Sequence, residues 1–336
     1  LLDSNVFNSS KFKIDIEHEM TKKLIIPMLI ILQSLLNFGC KSSFNTFQRS
    51  AYRQTVMGCE GIIILPGYRN NLMDNAVKKA FDRVIKLENS ISDWLLNSEI
   101  NRILLCPGVE HPISSDLAEV IRYSKTWNLE THGAFDPTVG GLTSFWRQVR
   151  MFGLYPSGQD FNTLKESVGF EKIKFNDGLQ PTLFFASDKV KLDFGAIGKG
   201  FAADLACQIL REEGFSSALV SIGGDLVVSD APPGHNGWRI QFHFPEKKIL
   251  PNKEWSNVGI AVSGDSEQIF EFNGEEYSHF IDIYSSKPIL RGSSVAVANT
   301  GALADIVATC ALLVTSEMSK KWLNKYSDLI FLHTVR

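Results

Sequence analysis

The sequence predicts an α+β fold, antiparallel sheets with flanking helices in two intimately packed lobes. Three observations carry that prediction. Strand and helix patterns interleave without the regular repeat of a doubly wound sheet or a barrel. The chain has 336 residues, 44% hydrophobic and 21% charged, enough for a sizeable core. No internal repeat, low-complexity tract or linker interrupts it after residue 50.

The elements follow in order. A strand pattern, "CEGIIIL" at 59–65, stops at Pro66-Gly67, and "NLMDNAVKKAFDRVIKLEN" at 71–89 then places apolar residues at helical spacing. "SSDLAEVIRYSKTWNLET" repeats that spacing behind a serine cap and ends near Gly133. Past Gly153 come a loop and the helix "FNTLKESVG", then the strands "KIKFN", "TLFFA" and "KVKLDF". The helix "GFAADLACQILREEG" separates these from "SALVSIGGDLVVSD", "WRIQFHF", "NVGIAVSG", "IFEFNG" and "SSVAVAN". A helix from about Gly301 to Val314 leads to a terminal helix and strand.

The first 50 residues read as processing signals rather than fold. Residues 1–19 are polar and precede a better start at Met20, which suggests an upstream extension. Lys22 and Lys23 then lead into 13 nearly uncharged residues, Leu24 to Leu36, the length of a signal-peptide core and short for a membrane span. Gly39 before Cys40 looks like a bacterial lipoprotein signal over 20–39, with Cys40 lipidated and 40–50 a polar tether to a domain at 51–336. A short anchor or a buried helix is the plainer alternative. Acyl chains on Cys40 would hold the domain at a membrane surface.

The net charge of −3 is spread without a basic stripe, which excludes a nucleic-acid surface. Cys59, Cys106, Cys207 and Cys310 show no CxxC spacing, so neither zinc nor a redox pair is indicated.

Two segments could do chemistry. "KLDFGAIGKGFAADLA" at 191–206 sets a strand, a glycine turn with Lys199, and a helix start; helix N-termini attract phosphate. It is neither the dinucleotide fingerprint nor a P-loop, and such a turn can be only a turn. "TGALADIVATCALL" puts Asp305 and Thr309 four apart on one helix face, hard oxygen donors that could complete a magnesium site; alternatively Asp305 serves the helix's first turn and Thr309 packs.

Further segments set these in register: "MGC" at 57–59, "SDWLLNSEINR" at 92–102, "GAFDPTVGGL" at 133–142, "SIGGDL", "AVSGD" at 261–265, "HFID" at 279–282 and "ADIVAT" at 304–309. With "LDFGAIGKGFAAD", they make the chain, over about residues 50–333, resemble the FAD:protein FMN transferases, the ApbE family, in which lipoprotein starts are common. The resemblance implies an ApbE-like fold and a transferase. FMN passes from FAD to a Thr or Ser hydroxyl of a target protein, AMP leaves, and Mg2+ assists.

By matching positions, it implies that Asp305, Thr309 and the carbonyl of Ala196 hold the metal, and that Asp193 and Lys199 contact FAD. Met57, Trp94, Ala134, Phe135, Asp136 and Phe280 line the flavin or adenine pockets, and His279 takes the acceptor's proton. The acceptors it implies carry an Asp-x-x-Ser/Thr-Gly-Ala-Ser/Thr-like motif and belong to extracytoplasmic redox subunits. The setting it implies is a lipid-anchored protein facing the periplasm or cell exterior.

The chain departs from the family pattern beside His279. "DIYSSKP" keeps Asp282 and Pro288 but has Ile283, Ser285 and Ser286 where the family has proline, threonine and glycine. Two other outcomes stay open, an FAD pyrophosphatase giving FMN and AMP, and an FAD-binding lipoprotein without turnover. Thr300-Gly301-Ala302 resembles part of an acceptor motif, but Val297 and Leu303 occupy the positions of its aspartate and hydroxyl, so self-modification is not expected there.

Overall fold

The computed structural model describes residues 7–8, 12–14, 48–155, 161–242, 253–265 and 269–335. The signal at 20–39, Cys40 and most of the tether and of the 1–19 extension lie outside the described residues. Among the described residues, no helix is long and apolar enough to cross a membrane.

A seven-stranded sheet organises the chain: β1 (Arg49–Val56), β2 (Cys59–Pro66), β3 (Leu219–Ile222), β4 (Asp225–Val228), β5 (Val258–Gly264), β6 (Ser293–Ala298) and β7 (Leu329–Val335). The strands lie side by side in chain order, and each neighbouring pair is antiparallel. The helices are α1 (Asn71–Ile91), α2 (Glu99–Leu104), α3 (Ser115–Glu130), α4 (Gly140–Phe152), α5 (Phe161–Ser167), α6 (Gly198–Glu212), α7 (Gly301–Leu313) and α8 (Ser316–Lys325).

Both faces of the sheet are buried, which is why β2 reads "IIIL" rather than alternating. Ile63, Leu65, Val220 and Ile222 meet α1, α6 and α7 on one face. Ile62, Ile64, Leu226 and Ile260 meet Trp238, Ile240 and Trp255 on the other. Over β5 and β6 the helix-side residues shrink to Gly259, Ala261, Ala296 and Ala298, so α7 sits almost on the backbone. A Cβ on Gly259 would lie 2.3 Å from the Gly301 nitrogen.

A smaller antiparallel sheet, Glu110–Pro112, Thr182–Phe185 and Ile173–Asn176, sends Leu183, Phe185 and Ile173 into the same core as α1. That shared core makes the two lobes intimate. A third cluster joins Leu142, Phe145, Trp146 and Val149 of α4 to Phe272 and Ile281 of two hairpins, Phe270–Phe272/Glu275–Tyr277 and Phe280–Asp282/Lys287–Ile289.

Two sequence expectations need correction. "KVKLDF" is not a strand. Val190, Leu192 and Phe194 do alternate inward, but the segment forms only a single bridge, Lys191 to Val139. Its backbone groups bond the 137–140 loop instead, Asp193 N–H to Pro137 O at 2.8 Å and Gly140 N–H to Lys191 O at 3.1 Å. The other is α4, a 13-residue helix in a stretch before Gly153 to which the sequence pattern assigned no element.

Candidate active site

The site lies at one end of the large sheet. Antiparallel order brings the β1–β2 turn, the β3–β4 turn and the end of β5 to the same edge. Both turns have two central residues at positive φ, Met57 (51°) with Gly58 (68°) and Gly223 (55°) with Gly224 (91°), as a type I′ hairpin requires. Gly223 is also needed for space: a Cβ there would meet Cys59 Sγ at 2.9 Å and Lys199 Cδ at 3.0 Å. The Met57 amide donates to Glu88 Oε2 at 3.0 Å, which ties the strained turn to α1.

A cavity of about 860 Å³ opens at this edge. Its lining includes all twelve pocket residues that the sequence singles out: Met57, Trp94, Ala134, Phe135, Asp136, Asp193, Ala196, Lys199, His279, Phe280, Asp305 and Thr309. They come from six separate stretches of chain, so the fold brings them together; Cys40 lies outside the described residues. The volume falls at the large end of small-molecule sites.

At the floor, Lys199 is paired with Asp225 and stands 3.7 Å from Asp305 Oδ1. Burial would drive this ammonium toward neutrality, but the two carboxylates outweigh it and hold the lysine charged, well above its ordinary range. Asp305, 2% exposed, accepts from the Gly200 amide at 2.9 Å through Oδ2. Gly198 N–H is bound to Phe194 O at 2.9 Å. Two of the first three amides of α6 therefore already have partners, so the helix start is not the open phosphate cradle that the glycine turn suggests. Gly200 serves close approach instead, since its Cβ would fall 2.1 Å from Gly301 O. Thr309 Oγ1 lies 3.0 Å from Ser263 Oγ at the end of β5.

The walls are built by loops. Asp136 lines the cavity, yet its carboxylate is spent on the loop, accepting from Thr138 N–H (2.8 Å), Thr138 O–H (2.6 Å) and Phe170 N–H (2.8 Å). Burial pushes its pKa up against those bonds. Asp193 turns the next loop by accepting from Gly195 N–H at 2.8 Å. His279 is exposed at the mouth, its ring 4.3 Å from that of buried Phe280.

Other lining residues escaped the sequence reading. Thr143, Arg147 and Arg150 of α4 face the cavity, and Arg147 bonds Asp93 Oδ2 at 2.9 Å while its guanidinium lies 3.9 Å from the Trp94 ring centre. Spacing of four and then three is the one signal that could have found them, once the helix is known.

The donor set at Asp305, Thr309 and the Ala196 carbonyl is hard oxygen, which suits magnesium rather than zinc. Two carboxylates against one ammonium leave the buried locus one negative charge, so a cation fits it. Among the described residues, no cluster of three or more His, Cys, Asp or Glu is placed to hold a metal, so any cation here depends on neutral oxygens and on ligand phosphates.

A sequence model of the ApbE family matches residues 52–332. The FAD:protein FMN transferase of Escherichia coli K12 is 27% identical over 239 residues, and the match spans 66% of each chain. That of Haemophilus influenzae is 27% identical over 327 residues, 93% of each chain. Among solved structures, the flavin transferase ApbE from Vibrio cholerae superposes with a TM-score of 0.70 at 21% identity, over 86% of this chain and 97% of that one. The Pseudomonas stutzeri flavinyl transferase ApbE, apo form, gives 0.67 at 21% identity, over 86% and 95%. At that identity the likeness shows the fold.

Proposed function

This chain belongs to the ApbE family, and we propose that it is an FAD:protein FMN transferase, moving FMN from FAD to a Thr or Ser hydroxyl of a target protein and releasing AMP. The observation that carries the reading is the Lys199–Asp225–Asp305 cluster on the floor of a cavity large enough for a dinucleotide.

Phosphoryl transfer of this kind needs charge neutralisation and in-line positioning more than covalent help. Asp305, Thr309 and the Ala196 carbonyl would hold Mg2+, which neutralises charge on the pyrophosphate oxygens when bound. Lys199 adds a fixed positive charge beside them. Its two carboxylates keep it protonated, so it acts as an electrostatic contact and not as a base. The acceptor hydroxyl oxygen forms a bond to the FMN phosphorus and the bond from that phosphorus to the AMP oxygen breaks. The hydroxyl proton passes to the His279 ring, whose exposed place at the mouth suits a group that must meet a protein substrate. The aromatic and loop residues at Met57, Trp94, Phe135 and Phe280 would enclose the rings of FAD and exclude water.

Residues 51–336 would form the transferase domain, and lipidation at Cys40 would keep it on the outer side of a bacterial cell membrane, near extracytoplasmic redox subunits. Thr300 is not an acceptor in this reading. Its hydroxyl caps α7 by accepting from Leu303 N–H at 3.2 Å, and Gly301 and Ala302 are buried.

The test is the protein with FAD, Mg2+ and a peptide carrying the Asp-x-x-Thr-Gly-Ala-Thr pattern, read by intact mass. A gain of FMN on the peptide that disappears in Asp305→Ala supports the transferase. AMP release with an unmodified peptide makes the protein an FAD pyrophosphatase, and FAD binding with no AMP makes it a binder.

A further inference from the structure

Arg147, to which the reaction above gives no role, lies among Trp94, Asp93 and Asp193 at the cavity wall. Its guanidinium carbon lies over the Trp94 ring, 3.9 Å from the ring centre. Nη1 donates to Asp93 Oδ2 at 2.9 Å, and Nη2 stands 3.8 Å from Asp193 Oδ2. One side chain from α4 thus joins the loop after α1 to the loop that carries Ala196. The loop after α1 is itself rigid. Asn101 Nδ2 donates to the carbonyls of Ser92 (3.3 Å), Asp93 (3.2 Å) and Leu95 (2.9 Å), and Ser92 Oγ accepts from the Trp94 and Leu95 amides at 3.2 Å.

Those bonds pin the backbone of the loop that carries the indole. Trp94 lines the cavity and is 62% exposed although Arg147 lies over one face, which leaves ring surface open to a ligand. A flat ring with one face on a guanidinium and the other open is a stacking platform. The cation–π contact fixes its tilt and the two carboxylates fix the cation.

We infer that Arg147 is a positioning residue: it holds Trp94 as a platform on which one planar ring of FAD stacks. The inference rests on the flavin-transfer reading. It also says that Arg147 acts on ligand binding, not on the chemical step, because it touches no reacting atom. One ring only can occupy the platform, so either the flavin half or the adenine half of FAD depends on it.

The experiment titrates FMN, AMP and FAD separately against the full protein, following tryptophan emission and flavin fluorescence, for wild type, Arg147→Gln, Arg147→Lys, Trp94→Ala and the Arg147→Gln/Trp94→Ala pair. Arg147→Gln is expected to weaken FAD by about 5–30-fold, the scale of a lost aromatic stack and cation–π contact. It should weaken FMN or AMP by a similar factor and leave the other within about twofold, and the AMP release rate at saturating FAD should change less than twofold.

Arg147→Lys keeps the charge for Asp93 and so the wild-type melting temperature, but lacks the planar group and is expected to bind as weakly as Arg147→Gln. The double variant should bind no worse than Trp94→Ala alone, because Arg147 acts through Trp94. Additive losses, equal weakening of FMN and AMP, wild-type binding by Arg147→Gln or Arg147→Lys, or a fall in saturated rate with unchanged affinity would each overturn the inference. If wild type binds none of the three ligands, the flavin reading itself fails. Wild-type binding with additive variants fails only the platform.

Discussion

Asp204 and Asp305 each cap the helix that carries the other. Asp204, on α6, accepts from the Gly301 and Ala302 amides of α7 at 2.7 and 2.8 Å. Asp305, on α7, accepts from the Gly200 amide of α6 at 2.9 Å. α6 has no side-chain cap of its own at Ile197, and the Thr300 cap of α7 reaches only the Leu303 amide. The exchange locks the two helices at their starts, where the floor of the cavity lies.

Asp305 therefore has two jobs that a pair of substitutions separates. Asp305→Asn keeps an acceptor for the Gly200 amide but loses the charge, so stability should stay within about 1 kcal/mol while AMP release is lost. Asp305→Ala leaves a buried amide unpaired as well and should cost about 1–3 kcal/mol more in urea unfolding. Equal stability of the two variants would remove the cap from the account.

Asp204 gives a pH dependence. Burial pushes its pKa up to about 7 from the ordinary 3.8, against the two amide bonds, with the Asp305 charge adding to the rise. Between those values the folded state holds a proton that the unfolded state has released, so stability falls as pH rises through this window. Asp204→Asn cannot titrate. The stability of wild type relative to Asp204→Asn should therefore decline from pH 4 to pH 7 and level off above; a flat difference in melting temperature over that range contradicts the assignment.

The crossing of the helices depends on glycine at both places. Cβ atoms at Gly200 and Gly301 would lie 2.1 Å from Gly301 O and 2.5 Å from Gly200 O, both rigid backbone. Gly200→Ala must push the helices apart, with a loss of about 1–3 kcal/mol. It should also lose AMP release, since Lys199 and Asp305 move with their helices. A variant as stable and active as wild type would show that the crossing does not depend on glycine at this place.

How much of this was legible in the sequence follows from distance along the chain. Lys199, Asp305 and Thr309 sit in contiguous glycine- and alanine-rich motifs, so their register shows without a fold. Arg147 does not. The helix that holds it begins on Gly140-Gly141 without a side-chain cap, and its polar stripe looks like a solvent face until the Trp94 loop, some 50 residues earlier, is laid across it. "KVKLDF" misled for the opposite reason. Its alternation is real, but a strand also needs a neighbour, and the 137–140 loop takes its hydrogen bonds. The mutual caps of Asp204 and Asp305 are invisible for the same reason as Arg147, being contacts about 100 residues apart.

Ser286 carries the last prediction, in the loop that departs from the family pattern. It has φ 59°, a conformation that costs a residue with a Cβ roughly 1–2 kcal/mol. The loop holds it there: Ser286 N–H donates to Asp282 O at 2.7 Å, Ser285 O–H to Asp282 Oδ2 at 2.7 Å, and Trp146 Nε1 to Ser286 O at 2.9 Å. None of these bonds uses the Ser286 side chain, whose own hydrogen bond, to Ile283 O, is long at 3.4 Å. Ser286→Gly keeps all three and removes the strain, but loosens the unfolded chain by about 0.4–1 kcal/mol. The balance favours the variant by about 0.5–1 kcal/mol, read as a higher urea midpoint with unchanged slope. A lower midpoint would show that the buried hydroxyl holds the loop beside His279 more firmly than its geometry suggests.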